Sequence, residues 1–309
     1  MNRRKFTQAL ATAALSAAVP EMPVAAKASS LSREARQAPQ SSGAQFSLSV
    51  MLWTVFHDLP FEQRLEKVAE AGYTNIELVG EYSKWSTADF ANANAARKRL
   101  GITFDATAGL HHSMIDPASR DALIAELGAA LQPMETLACS AMIMLTGNTI
   151  PGLSRETQHQ NVVETLKRAA ASVEGKQIDG QPVRILLECI DPEENPKYFL
   201  TSAAEGMEVV RQVNHPQVQF LYDMFHEQIG HGNLIEKLEK NIDIVALIHV
   251  ADVPGRHQPG TGEIDYGNIF KKLGQLNYRK MVAMEFMPNG DEVAALKEAK
   301  KLALTSAMA

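Results

Sequence analysis

The chain has 309 residues, 45% of them hydrophobic and 21% charged, with a formal net charge of −6. That is an ordinary globular composition, and its mild acidity leaves no electrostatic footprint for nucleic acid, so no nucleic-acid partner is expected. The two cysteines, Cys139 and Cys189, lie in or beside apolar runs and read as small buried hydrophobes, without support for a disulfide.

At the N-terminus, Arg3 and Arg4 precede Lys5-Phe6 and a moderately apolar run from Ala9 to Val19. Small residues suited to cleavage follow near Val24 to Ala28. The run is too short and too alanine-rich to span a membrane. Residues 1–28 resemble a bacterial twin-arginine export signal, and residues 29–45, rich in Ser, Ala and Gln, read as a flexible linker. Such a signal implies a periplasmic mature protein with no stable membrane anchor. It would cross already folded, which suits a protein that takes up its metal in the cytoplasm.

From residue 46 to 305 the pattern is regular. A strand is expected over Leu48–Phe56, then a helix over Phe61–Ala71 with Leu65, Val68 and Ala69 on one face. A strand over Ile76–Val79 and a helix over Thr87–Leu100 follow, then Thr103–Ala108 and Ser119–Leu137, then Ala141–Thr146 and Ser154–Glu174. The second half runs Arg184–Ile190, Thr201–Val213, Val218–Phe225 and Gly232–Asn241, as strand and helix in turn. A strand from Ile244 then precedes a helix over Gly267–Leu276, the last strand Lys280–Phe286 and a closing helix over Asp291–Leu304. Eight strand–helix units in one domain predict a parallel sheet, and at this length a single (β/α)8 TIM barrel rather than an open sheet. No Gly-x-Gly-x-x-Gly follows the first strand, which removes the usual dinucleotide-binding reading.

In such a barrel, polar residues at the C-terminal strand ends converge on one cavity. The last four strands end in, or carry, Glu188, Asp223, His249 and Glu285, each set among apolar neighbours. Unpaired buried carboxylates are costly, and four such groups together call for a cation. Three carboxylates and an imidazole are a shell for Mn²⁺, Mg²⁺, Co²⁺ or Zn²⁺. Glu188 and Glu285 stand three strands apart, so they can flank a substrate and pass a proton between adjacent carbons through an enediolate. His226 is a candidate to bond a substrate oxygen, or else a supporting core histidine. Arg256 is a candidate partner for a substrate carboxylate, or else a loop ion pair with Asp252 or Glu263. Glu77, His111 and His112 are weaker candidates for the same mouth, and Trp53 and Phe56 are either an apolar wall or rim packing.

Several longer pieces carry a family likeness. They are Leu59-Pro60-Phe61, Ala71-Gly72-Tyr73, LLECIDPEENPKYFL from Leu186, YDMFHEQ from Tyr222, ADVPGRHQPGTGEIDY from Ala251, and MEFMP from Met284. On these, the segment from Ser47 to Pro288 resembles hydroxypyruvate isomerase, within the xylose-isomerase-like sugar isomerase/epimerase barrels. The resemblance implies a divalent metal held by Glu188, Asp223, His249 and Glu285, with Glu188 and Glu285 as the acid/base pair. It implies conversion of hydroxypyruvate to tartronate semialdehyde, and relatives suggest a homo-oligomer. The chain departs from that pattern at His249, where hydroxypyruvate isomerases often carry Gln and sugar 3-epimerases His. It departs again at Asp191, where an Asn-bearing loop is expected.

Three other readings use the same residues. A periplasmic keto-sugar epimerase or lyase keeps the barrel and the metal and is favoured by His249 and the export signal. A zinc endonuclease of this fold needs more histidine ligands and a basic groove, against which the acidic charge argues. A barrel that only binds a small sugar needs no metal chemistry.

Overall fold

The computed structural model describes residues 44–309. The expected export signal, and all but the last two residues of the expected linker, lie outside the described residues. In chain order the elements are β1 Ser47–Met51, α1 Phe61–Glu70, β2 Asn75–Val79, α2 Thr87–Leu100, β3 Thr103–Ala108, α3 Arg120–Leu137 and β4 Ala141–Leu145. Then come α4 Arg155–Val173, β5 Gln177–Ile178, β6 Gln181–Pro182, β7 Arg184–Glu188, α5 Ala203–Val213, β8 Val218–Asp223 and α6 Met224–Gly230. The chain ends with α7 Leu234–Asn241, β9 Val245–Val250, α8 Tyr266–Gln275, β10 Met281–Met284 and α9 Glu292–Ala307. Eight parallel strands close in the order β1-β10-β9-β8-β7-β4-β3-β2, so the expected (β/α)8 TIM barrel is the fold. Among the described residues, no helix is long and apolar enough to cross a membrane.

Two apolar layers hold it together. Along each strand successive side chains alternate between the barrel interior and the helices. The outward set, with Val50, Ile76, Leu78, Phe104, Leu187 and Phe220 among it, packs under Leu65, Val68, Leu166 and Phe270 of the helices. Burying side chains of this size contributes roughly 1.5–3 kcal/mol each. The inward set is small or slender: Met51, Ala106, Ala141, Ile143, Leu186, Leu221, Leu247 and Ala283. Gly206 lets α5 lie close on the barrel, since a Cβ there would stand 2.5 Å from the Phe220 ring.

Four expected strands, the first, fifth, sixth and eighth, ran two or more residues too far, and two of these show why. The first stops at Met51, where Thr54 Oγ1 donates to the Met51 carbonyl and the chain tightens into a 3-10 turn over Leu52–Thr54. The sixth barrel strand stops at Asp223, whose Oδ1 accepts from the N–H groups of Phe225 and His226 at 2.7 and 3.2 Å and so caps α6. Apolar residues straddle that switch, so periodicity does not show it. The short antiparallel hairpin β5–β6 was not expected either.

Candidate metal and active centre

The C-terminal ends of β7, β8, β9 and the residue after β10 bring Glu188, Asp223, His249 and Glu285 together, as expected. One ligand atom from each lies within 4.8 Å of the others, and all four residues are buried. Inward alternation places them: Glu188 continues from Leu186, Asp223 from Leu221, His249 from Leu247 and Glu285 from Ala283. Register does the rest, with Asp223 level with His249 across β8 and β9.

His249 stands at the centre. Its Nδ1 lies 2.6 Å from Glu285 Oε2 and 3.6 Å from Glu188 Oε1. Yet neither His249 Nδ1 nor Glu285 Oε2 has an aligned hydrogen-bond partner. An imidazole nitrogen and carboxylate oxygens converging on one buried point are what a cation site presents. The donor set fits a divalent metal with mixed carboxylate and imidazole ligands. On its other side, His249 Nε2 is 2.9 Å from Glu77 Oε2. Glu77 was a weak candidate for the mouth; the structure places it against the histidine, fully buried. With Nε2–H donated to Glu77, the Nδ1 lone pair would be left for a metal.

The charges are set by these neighbours. Burial pushes the Glu188 carboxyl up. Burial acts the same way on Glu285, but the Arg256 guanidinium and His249 outweigh it and hold Glu285 well below the usual carboxylate range. Burial alone would depress His249, but the charges of Glu285 and Glu77 raise it well above its ordinary value.

His226 and Arg256 also reach the centre, though not as free hands for a substrate. The Nδ1 of His226 is 2.6 Å from Asp191 Oδ2, and its Nε2 lies 3.4 Å from Asp223 Oδ2. Burial lowers its pKa, but the Asp223 charge and the Asp191 bond bring it up to about 9. Arg256 lies 2.9 Å from Glu285, 3.4 Å from Asp223 and 3.2 Å from Glu194, with its guanidinium 4.8 Å from the Phe225 ring. The expected loop pairs with Asp252 or Glu263 do not form. Asp252 instead accepts the backbone N–H groups of Val253, Gly260, Gly262 and Ile264. Glu263 accepts from Gln228. A Cβ on Gly262 would stand 2.0 Å from the Val253 carbonyl, so only glycine fits inside this ring of donors.

His111 and His112 do not join the centre. Both turn their Nδ1 onto Glu126 of α3, at 2.8 Å each. Trp53 does join it, donating Nε1–H to Glu285 Oε1 at 3.0 Å. Phe56 is buried in the outer layer as packing. Cys139 and Cys189 are buried and free. Asp191 and Glu194 were missed as site residues. The signal was the acidic run DPEEN right behind Glu188, which reads equally well as a solvated turn.

The family model described as "Xylose isomerase-like TIM barrel" matches residues 65–304. The chain belongs to this family. Among its relatives is the 2-oxo-tetronate isomerase of Haemophilus influenzae, 29% identical over 79% of this chain and 95% of that protein. Another is the hydroxypyruvate isomerase of Escherichia coli strain K12, 26% identical over 81% and 96%. The D-psicose 3-epimerase structure from Clostridium cellulolyticum H10 superposes with a TM-score of 0.71 at 18% identity, over 84% and 98%. At 18% identity that likeness is one of fold.

Proposed function

We propose that this protein is a metal-dependent isomerase that moves a proton between adjacent carbons of an α-hydroxy-carbonyl compound. The observation that carries this is the convergence of one ligand atom each from Glu188, Asp223, His249 and Glu285 on one buried point. A divalent Mn, Mg, Co or Zn ion bound there supplies positive charge for the oxygens of the carbonyl and its neighbouring hydroxyl. Glu188 and Glu285 face each other across that position. Glu285 would take the proton from the hydroxyl-bearing carbon, with Arg256 at 2.9 Å orienting its carboxylate. Glu188 would return a proton to the former carbonyl carbon through an enediolate, while the hydroxyl proton passes to the former carbonyl oxygen.

The named relatives make hydroxypyruvate, giving tartronate semialdehyde (2-hydroxy-3-oxopropanoate), the first substrate to test. A second reading, epimerisation or lyase chemistry on a keto-sugar, is favoured by Arg256 being held by three carboxylates of the site itself. Both readings share one test. Purified protein loaded with Mn²⁺ is expected to exchange the substrate's C–H hydrogen with solvent deuterium. Glu285→Gln is expected to lower that rate at least about 1,000-fold, within the range a general base and charge stabiliser contribute together. Full exchange in Glu285→Gln sinks the mechanism.

A further inference from the structure

The indole of Trp53 is bonded to one of the four candidate ligands, and the two oxygens of that ligand have different neighbours. Oε2 of Glu285 is the inner one. It lies 2.6 Å from His249 Nδ1 and 2.9 Å from the Arg256 guanidinium, on the side where the ligand atoms converge. Oε1 accepts the Nε1–H of Trp53 at 3.0 Å. Two demands meet on this carboxylate. As a ligand it gives an oxygen to a metal, and as a base it needs an oxygen whose electrons the metal has not taken. With both oxygens on a divalent cation, the nearby charge would make both poorer bases. A donor on Oε1 from outside the ligand set opposes that closure. An ionised carboxylate oxygen that accepts one N–H keeps a second lone pair for a proton.

The indole is held where it can do this. Trp53 is the middle residue of the 3-10 turn over Leu52–Thr54 that follows β1. The turn is tied from several sides. Thr54 Oγ1 donates to the Met51 carbonyl, Arg64 of α1 donates to the Leu52 carbonyl, and Glu292 of α9 accepts the Phe56 N–H at 2.8 Å. A lysine in this place could follow Oε1 toward the metal on its flexible stem. A planar ring on a pinned turn cannot. Arg256 stands on the other side, its guanidinium 5.7 Å from the Trp53 ring and its NH2 group on Oε2, so the two donors take different oxygens of one carboxylate. The second tryptophan, Trp85, packs against Phe61 and Phe90 instead.

We propose that Trp53 is a positioning residue that holds Glu285 Oε1 off the metal position and leaves Oε2 as the ligand oxygen. The hold rests on the candidate metal centre, and its catalytic consequence on the proton-transfer reading above. In that step the substrate C–H bond breaks, its proton joins Oε1, and its electron pair passes into the enediolate.

The first test reads the bond without touching Trp53. Trp85→Phe leaves Trp53 as the one indole of the chain, so its Nε1–H gives a single NMR signal. That signal is expected downfield of a free indole, and to stay there when diamagnetic Zn²⁺ is bound. It is expected to move upfield when Glu285→Gln is added, because the acceptor loses its charge. A signal at the free-indole position in the Zn²⁺-loaded protein overturns the proposal.

The second test removes the donor and keeps a ring. Trp53→Phe is titrated with Mn²⁺ by calorimetry, and deuterium incorporation from D₂O is followed with hydroxypyruvate and with fructose. Mn²⁺ is expected to bind at least about threefold more tightly, because Oε1 is free to join it. The exchange kcat is expected to fall about 10–100-fold, the size of a lost hydrogen bond to a charged group, with KM within about twofold of the parent's. A prop of the fold alone would lower affinity and rate together, and that result overturns the proposal. So does a variant unchanged in both, which makes the ring a wall only and leaves proton transfer standing. Tighter Mn²⁺ binding in the variant, with no exchange by the parent on either compound, supports the hold on Oε1 and overturns proton transfer. A parent that binds neither Mn²⁺ nor Zn²⁺ overturns both.

Discussion

Both nitrogens of His249 are spoken for by different parts of the barrel. Nε2 meets Glu77 from β2, and Nδ1 turns to the carboxylates of β7 and β10. Glu77 therefore fixes which nitrogen is left to bind a metal, and its charge makes the imidazole a better donor. Glu77→Gln keeps an acceptor for Nε2–H and removes the charge. It is expected to weaken Mn²⁺ affinity by about 10–100-fold, read by titration of the metal-free protein with the fold checked by circular dichroism. An unchanged affinity would reduce Glu77 to packing. The four candidate ligands were legible because each is a polar residue in an otherwise apolar strand end. Glu77 has the same signature in Ile76-Glu77-Leu78, but no local pattern says that its partner lies on β9. Arg256 was the harder case. A long side chain samples many partners, and the ones it meets, Asp223, Glu285 and Glu194, come from three other segments of the chain.

Elements explain why other polar residues of the mouth are absent from the centre. The two histidines after β3 are held on α3 through Glu126, whose carboxylate accepts both rings and both backbone N–H groups. Burial works against Glu126, but the bonds from His112 and His111 outweigh it and bring its pKa from 4.5 down to about 2. A carboxylate depressed in the folded chain contributes stability above its ordinary value and loses it as pH falls through the folded value. The Tm difference between the parent and Glu126→Gln is thus expected to be full above pH 4.5 and to vanish as pH falls toward about 2. A difference constant over that range would mean the tie is not ionic. The loop after β9 is built by Asp252, not by the ion pairs expected of it. A buried carboxylate gathering four N–H groups explains why Gly and Pro crowd that stretch. Asp223 shows the same economy of means: one oxygen caps α6 while the other faces Arg256.

At the scale of the whole molecule, the barrel is a closed cylinder whose candidate metal ligands come from residues 188 to 285. No partial fold assembles that set, so a metal bound there would be loaded after folding. Export by a twin-arginine signal moves folded cargo, which makes such export compatible with loading in the cytoplasm. We propose this route for the full chain. Replacing Arg3 and Arg4 together by Lys is expected to shift the protein from the periplasmic to the cytoplasmic fraction of expressing cells. Equal periplasmic recovery with and without the pair rules it out.

The sequence by itself determined the barrel and the four strand-end groups. Both are written in local patterns: the alternation of strand with helix, and a two-residue period that turns every second side chain inward. Interior direction is a local property of the backbone, so it can be read along one strand at a time. What only the tertiary structure decided is who faces whom. Closure sets β4 beside β7 and β1 beside β10, and with them Leu145 beside Glu188 and Trp53 beside Glu285. It also brings Glu77 to His249 across 172 positions of sequence, and Arg256 to carboxylates it was not expected to meet. Register between distant strands depends on the whole ring closing, because each strand's inward residues gain their neighbours only when all eight are in place.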